Sequence, residues 1–225
     1  MDTYRSDMSK PRIKICCISS EEEAKMAIQY GASALGLVGH MPSGPGIISN
    51  DLILRITKTI PPPIGTFLLT SETVAQKIIA HHKLTRTNTI QIVDSILINA
   101  YKVIRASIPS IKLVQVIHVI DDKSVDEAIT ISEQVDAILL DSGNPNLRIK
   151  ELGGTGRTHN WKLSRKIRKS VNIPIFLAGG INAENVRQAI DEVQPFGLDL
   201  CNGVRTNGKL DEKKLELFMK NALYY

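Results

Sequence analysis

The chain has 225 residues, 43% of them hydrophobic and 23% charged, with a formal net charge of +5. That length and apolar content support a sizeable core without disulfides, and they exclude a disordered or fibrous chain. Lys and Arg are scattered and aromatics are only 4%, so the basic stripe and stacking platforms of a nucleic-acid binder are missing and a small anionic ligand fits better.

Met1 to Arg12 mix charges of both signs without an apolar run, so neither a leader nor a membrane span is expected there. From there short β-branched runs alternate with helical spacing. The runs Ile13–Cys17, Ala34–Val38, Ile64–Leu69 and Thr89–Val93 read as strands, followed by Lys112–His118, Ala137–Asp141, Ile173–Ala178 and Gly197–Leu200. Helical spacing occupies Glu21–Tyr30, Asp51–Lys58, Ser71–Leu84, Ser124–Glu133, Trp161–Lys169, Ala183–Val193 and Asp211–Leu223. Ser20, Asn50, Thr70 and Asn182 stand where N-caps belong, and Gly31 follows the first helix. Pro61-Pro62-Pro63 marks a tight turn between helix and strand.

Strand followed by helix throughout so short a chain, with no linker, predicts a single (β/α)8 barrel of the TIM type. Residues 1–11 read as an N-terminal extension and 12–225 as the barrel domain. Cys16, Cys17 and Cys201 form an odd set without metal-ligand spacing, so no zinc site is expected and a reducing cytoplasm is the natural setting. Adjacent strand residues point to opposite faces, which predicts that Cys16 and Cys17 diverge.

Barrel sites form where strands end, and the polar residues collect there. Period-2 geometry places Lys14 and Cys16 on the inner face of the first strand and Asp141 on the inner face of the sixth. Singly, Cys16 reads as a small buried hydrophobe and Asp141 as a loop-anchoring carboxylate; together at one mouth they suggest acid–base chemistry. Gly179-Gly180 and Asn202-Gly203 follow the seventh and eighth strands, where backbone N–H groups approach a phosphate in barrels of this type. Gly153-Gly154-Thr155-Gly156-Arg157 lacks P-loop spacing and reads as a lid or cradle.

At these residues the sequence resembles the phosphoribosylanthranilate isomerase family of tryptophan biosynthesis. The resemblance is carried by Lys14-Ile15-Cys16, Gly31 to Gly36, Leu139 to Ser142, Gly153 to Gly156, Leu177 to Gly180, Asn182 to Val186 and Asp199 to Val204, in the family's order. It implies an Amadori rearrangement without metal or cofactor, with Cys16 as general base and Asp141 as general acid. It also implies that Gly154, Gly156, Gly179, Gly180, Asn202 and Gly203 hold the substrate and its phosphate. Lys14, Asp199 and Arg157 are expected in support. The expected partner is a small phosphorylated substrate, with no nucleic acid and no membrane, on a monomer or homodimer.

Four places depart from the family pattern. Gly46 stands where the family carries the arginine for the anthranilate carboxylate, with Arg157 or Arg205 as possible replacements or as surface charges. Cys17 replaces a glycine, Cys201-Asn202 a serine pair, and Gln91-Ile92-Val93-Asp94 a Gln-Leu-His-Gly segment. Among the histidines, His81 and His82 are expected on an outer surface, His118 as a core or loop residue, and His40 and His159 in mouth-side loops. Two other readings stay open: an isomerase of a different phosphorylated sugar or aminosugar, and a non-catalytic barrel that binds a phosphorylated ligand.

Overall fold

A computed structural model describes residues 10–224; most of the expected extension over residues 1–11 lies outside them. Eight parallel strands close on themselves in sequence order: β1 (Arg12–Ile15), β2 (Ala34–Val38), β3 (Gly65–Thr70), β4 (Thr89–Ile92), β5 (Lys112–His118), β6 (Ala137–Asp141), β7 (Ile175–Leu177) and β8 (Gly197–Leu200). The helices are α1 (Glu21–Gln29), α2 (Asn50–Thr59), α3 (Ala75–Thr85), α4 (Ile98–Ser107), α5 (Lys123–Ser132), α6 (Trp161–Ser170), α7 (Val186–Val193) and α8 (Glu212–Leu223). The ring closes through β1 against β8, with Lys14 beside Asp199 and Ile15 beside Leu200. Among the described residues no helix is long and apolar enough to cross a membrane.

The expected strands are all present, four with the bounds read from the sequence. α4 and a hairpin of β9 (Arg205–Thr206) with β10 (Lys209–Leu210) are additional. Three of the expected N-caps shift. Ser20 caps α1 by accepting from the Glu23 N–H, but Ser49 rather than Asn50 caps α2. Val74 rather than Thr70 precedes α3, because the chain runs irregularly after β3, and Asn185 rather than Asn182 precedes α7. Asn182 instead accepts from the Glu184 and Asn185 N–H groups, closing a turn before the helix.

The alternation of the strands sorts side chains into two cores. Ile13, Ile15, Leu35, Leu37, Ile138 and Leu140 pack outward against the helices. Ala34, Phe67, Val114, Val116, Leu139 and Phe176 fill the barrel itself. Phe67 and Phe176 meet edge to face at 5.9 Å; a methyl group at Gly197 would lie 2.6 Å from the Phe176 ring, so the small residue makes room for the large one. The lower barrel is thereby plugged, and open space lies at the C-terminal strand ends.

Candidate active site

That open space is a cavity of about 280 Å³ lined by Cys16, Cys17, Asp141, Asp199 and the loops after β2, β6, β7 and β8. The strand ends bring the expected acid–base pair to one cavity. Lys14 lies wholly buried beneath it and donates to Asp199 Oδ1 at 2.8 Å, with its ammonium 5.2 Å above the Phe67 ring. A methyl group at Gly36 would sit 2.7 Å from Cys16 Sγ and 3.0 Å from Lys14 Nζ. The bare β2 backbone is what admits both groups.

The expectation that Cys16 and Cys17 diverge is wrong. β1 ends at Ile15, and Cys17 adopts a left-handed φ of 61°, so its side chain turns back to the cavity that Cys16 lines. Strand alternation no longer applies beyond Ile15, and a left-handed non-glycine residue persists only where its surroundings hold it. The neighbouring Cys17 thiol, above all, pulls the Cys16 thiol below its ordinary value; burial opposes this and Lys14 assists. Cys17 itself is pushed well up by its contacts with Cys16 and Cys201 and by burial.

Asp141 ends β6 almost fully buried. Burial pushes its carboxyl up, against the Ser142 N–H that donates to Oδ1 at 2.7 Å and the charge of His118. The result is one thiol biased toward its anion and one carboxyl biased toward its neutral form in a shared cavity. A proton donor and a proton acceptor are thus available at one place.

Gly153, Gly154, Thr155 and Gly156 form one wall, and Gly179, Gly180, Asn202 and Gly203 another. Asn202 Nδ2 donates to the Gly154 carbonyl at 2.9 Å, tying the two loops together. Thr155 and Ser142 share a hydrogen bond between hydroxyls of 2.7 Å. Apolar walls come from Val38, Met41, Leu69, Val93 and Leu152, of which Met41 and Leu152 were not singled out; both lie in loops, where apolar periodicity gives no signal. Among the described residues no group of His, Cys, Asp or Glu is arranged to hold a metal ion.

A family model described as N-(5'phosphoribosyl)anthranilate (PRA) isomerase matches residues 13–221. The chain belongs to the N-(5'-phosphoribosyl)anthranilate isomerase family. A Methanosarcina mazei relative, N-(5'-phosphoribosyl)anthranilate isomerase 2, is 35% identical over 94% of this chain and 93% of its own. The crystal structure of phosphoribosyl anthranilate isomerase from Thermotoga maritima superposes with a TM-score of 0.81 at 30% identity, covering 94% of this chain and 98% of that one. A phosphoribosyl anthranilate isomerase in complex with reduced 1-(o-carboxyphenylamino)-1-deoxyribulose 5-phosphate gives 0.78 at 28% identity over the same shares.

Gly46 and Cys17, set apart separately in the sequence, lie against each other. A methyl group at Gly46 would lie 2.5 Å from Cys17 Cβ and 2.8 Å from its Cα, so a side chain at 46 and one at 17 compete for the same space. Neither suggested replacement cation faces the cavity. Arg157 pairs with Glu151 at the exposed rim. Arg205 is buried, donating to Glu23 and to the Cys16 and Cys17 carbonyls. Four of the five histidines make side-chain hydrogen bonds within the fold, and His81 and His82 are more engaged than expected of surface residues. His81 bridges Thr70 and Asn50, and His82 donates from Nε2 to the Thr87 carbonyl. His118 donates to the Val93 carbonyl, and His159 pairs with Ser164.

Proposed function

We propose that this chain is a cofactor-independent isomerase that converts N-(5-phosphoribosyl)anthranilate to the 1-deoxyribulose phosphate product by an Amadori rearrangement. Asp141 gives its proton to the furanose ring oxygen as the C1–O bond breaks, and the amine nitrogen lone pair forms the C=N bond of the Schiff base. The Cys16 thiolate then takes the C2 proton, the electron pair moves toward nitrogen, and the resulting enolamine takes a proton at C1 while its C2 hydroxyl gives one up, leaving the ketone. No atom is gained or lost. The Gly179-Gly180 and Asn202-Gly203 turns hold the phosphate, and Gly153 to Gly156 cover the substrate. A catalytic thiol needs reducing surroundings, and a cytoplasmic location belongs to this reading.

The supporting observation is the convergence of Cys16 and Asp141 on one cavity rimmed by those glycine turns. The test is turnover of N-(5-phosphoribosyl)anthranilate by the wild type, Cys16→Ala and Asp141→Asn. Removing either group should lower kcat/KM by about 10²–10⁴-fold, the usual worth of a positioned acid or base. Rates within a few-fold of wild type in either variant overturn the assignment. A second reading, the same chemistry on a phosphoribosyl amine lacking the carboxylate, draws on the bare backbone of Gly46 against Cys17. It predicts turnover of such an amine and none of the anthranilate compound.

A further inference from the structure

We propose that residues 150–152, in the loop after β6, recognise the anthranilate part of the substrate, Leu152 against its ring and the Lys150 ammonium at its carboxylate. The inference deepens the reading of the site as one for N-(5-phosphoribosyl)anthranilate and rests on it. That molecule carries a phosphate at one end and an aryl carboxylate at the other, so its two anionic groups need separate partners. The glycine turns after β7 and β8 are assigned to the phosphate. Among the described residues no Lys or Arg lines the cavity. Its apolar wall of Met41, Leu69, Val93 and Leu152 gives a carboxylate nothing to bond. A cation for that group has to stand at the rim of this wall.

Two contacts seat Lys150 there. Its carbonyl accepts from Ser43 Oγ at 2.6 Å, and Ser43 lines the cavity in the loop after β2. Its ammonium pairs with Oδ2 of Asp94, which follows the cavity-lining Val93 just past β4. Residue 150 thus spans from the β2 loop to the end of β4. Leu152, two residues on, lines the cavity and is only 7% exposed. The Glu151 N–H donates to the Asn144 carbonyl at 3.1 Å, which fixes the strap between them. No strand or helix buries this leucine; the loop carries it to the cavity wall.

The arrangement matches the two faces of an aminobenzoate. Its flat ring gains from apolar contact, which Leu152, Val93 and Met41 supply. Its carboxylate must keep hydrogen-bond donors as it leaves water. The Lys150 side chain is 46% exposed and that of Asp94 10%, so the ammonium has Asp94 on one side and open rim on the other. An ammonium has three N–H donors, and Asp94 Oδ2 engages one of them. Asp94 is itself tied down, its Oδ1 accepting from the Ser95 N–H at 2.9 Å. Lys150 is therefore held in place before a ligand arrives, which lowers the ordering cost of binding. A second carboxylate can join the same ammonium without breaking the first pair.

The test is titration calorimetry with the proposed product, 1-(o-carboxyphenylamino)-1-deoxyribulose 5-phosphate, and with its phenylamino counterpart, which lacks the carboxylate. Wild type, Lys150→Met, Lys150→Arg and Leu152→Ala are compared. In Lys150→Met the Kd of the carboxylate ligand should rise about tenfold, the loss of one charged hydrogen bond. The phenylamino ligand should bind that variant as it binds the wild type, which also shows that the site is intact. Lys150→Arg should restore most of the lost affinity, and Leu152→Ala should weaken both ligands alike. An equal change for the two ligands in Lys150→Met, or no change for either, overturns the proposal and leaves the isomerase reading standing. Failure of both ligands to bind the wild type would take that reading down as well, so the two failures are told apart.

Discussion

Two buried ion pairs meet at the end of β1, one inside the barrel and one outside, and they are built differently. Inside, Lys14 makes a single 2.8 Å bond to Asp199 and otherwise rests over an aromatic ring. Outside, Arg205 reaches both Glu23 oxygens, the Gly208 carbonyl and the Cys16 and Cys17 carbonyls, while Glu23 also accepts from the Ser19 and Leu210 N–H groups. The outer pair therefore joins α1, the β9–β10 hairpin and the turn at Cys16-Cys17 into one clamp. The inner pair engages little backbone and leaves part of its field for the cavity. One fixes where the thiols are; the other bears on what charge they carry.

The comparison breaks most readily at the clamp. Glu23→Gln leaves Arg205 buried without a carboxylate, which costs about 3–5 kcal/mol, or a fall in Tm of roughly 6–20 °C for a chain this size. Burial alone would push the Glu23 carboxyl up, but Arg205 and the Leu210 and Ser19 N–H groups hold it below its ordinary 4.5. A carboxyl lowered by folding contributes stability that is present above 4.5 and lost as pH falls through the folded value. Denaturant titrations from pH 6 to 3 should show that acid slope in the wild type and a flatter one in Glu23→Gln; equal slopes would mean that the clamp carries no net charge energy.

Lys14→Met is the next largest. It strands Asp199 and should cost about 3 kcal/mol, most of which a Lys14→Met/Asp199→Leu double variant recovers, since apolar replacement of a buried pair is close to neutral. The double variant should nevertheless stay slow on the acid side of the pH–rate profile, because the cation beside Cys16 is gone. Stability and rate recovering together would show that the inner pair is only structural.

How much of this was legible in the sequence follows the same division. Period-2 alternation put Lys14, Cys16 and Asp141 on inner faces, and the eight repeats gave the barrel, because those signals lie inside regular elements. The clamp was not legible, as Glu23 and Arg205 are 182 residues apart and nothing local pairs them. Ser20 and Glu23 carry capping-box spacing, a signal that marks the helix start but not the partner. Asn207-Gly208, with φ of 51° and 77°, is a two-residue hairpin turn that could have been read directly. α4 was overlooked although Ile98, Tyr101 and Ile104 recur at helical spacing, because its cap position is Leu97, which offers no side-chain oxygen. Cys17 was misread because strand alternation was carried two residues past the end of β1.

The smallest effect concerns Asp141, a buried carboxyl outside both ion pairs, whose hydrogen bonds come from the Ser142 N–H and hydroxyl. Burial raises it above its ordinary 3.8. The folded state therefore holds the proton more tightly than the unfolded chain, and stability falls as pH climbs from 3.8 through the folded value, then levels. Asp141→Asn keeps an oxygen for Ser142 and removes the ionisation. At pH 7 it should be as stable as the wild type or more so, by up to about 1 kcal/mol, with the difference shrinking as pH approaches 4, while turnover is lost. Chemical denaturation at the two pH values checks this. A clear loss of stability at pH 7 would mean that Asp141 works as a paired anion like Asp199, and the contrast between charges that hold the fold and a carboxyl kept for proton transfer would lose its basis.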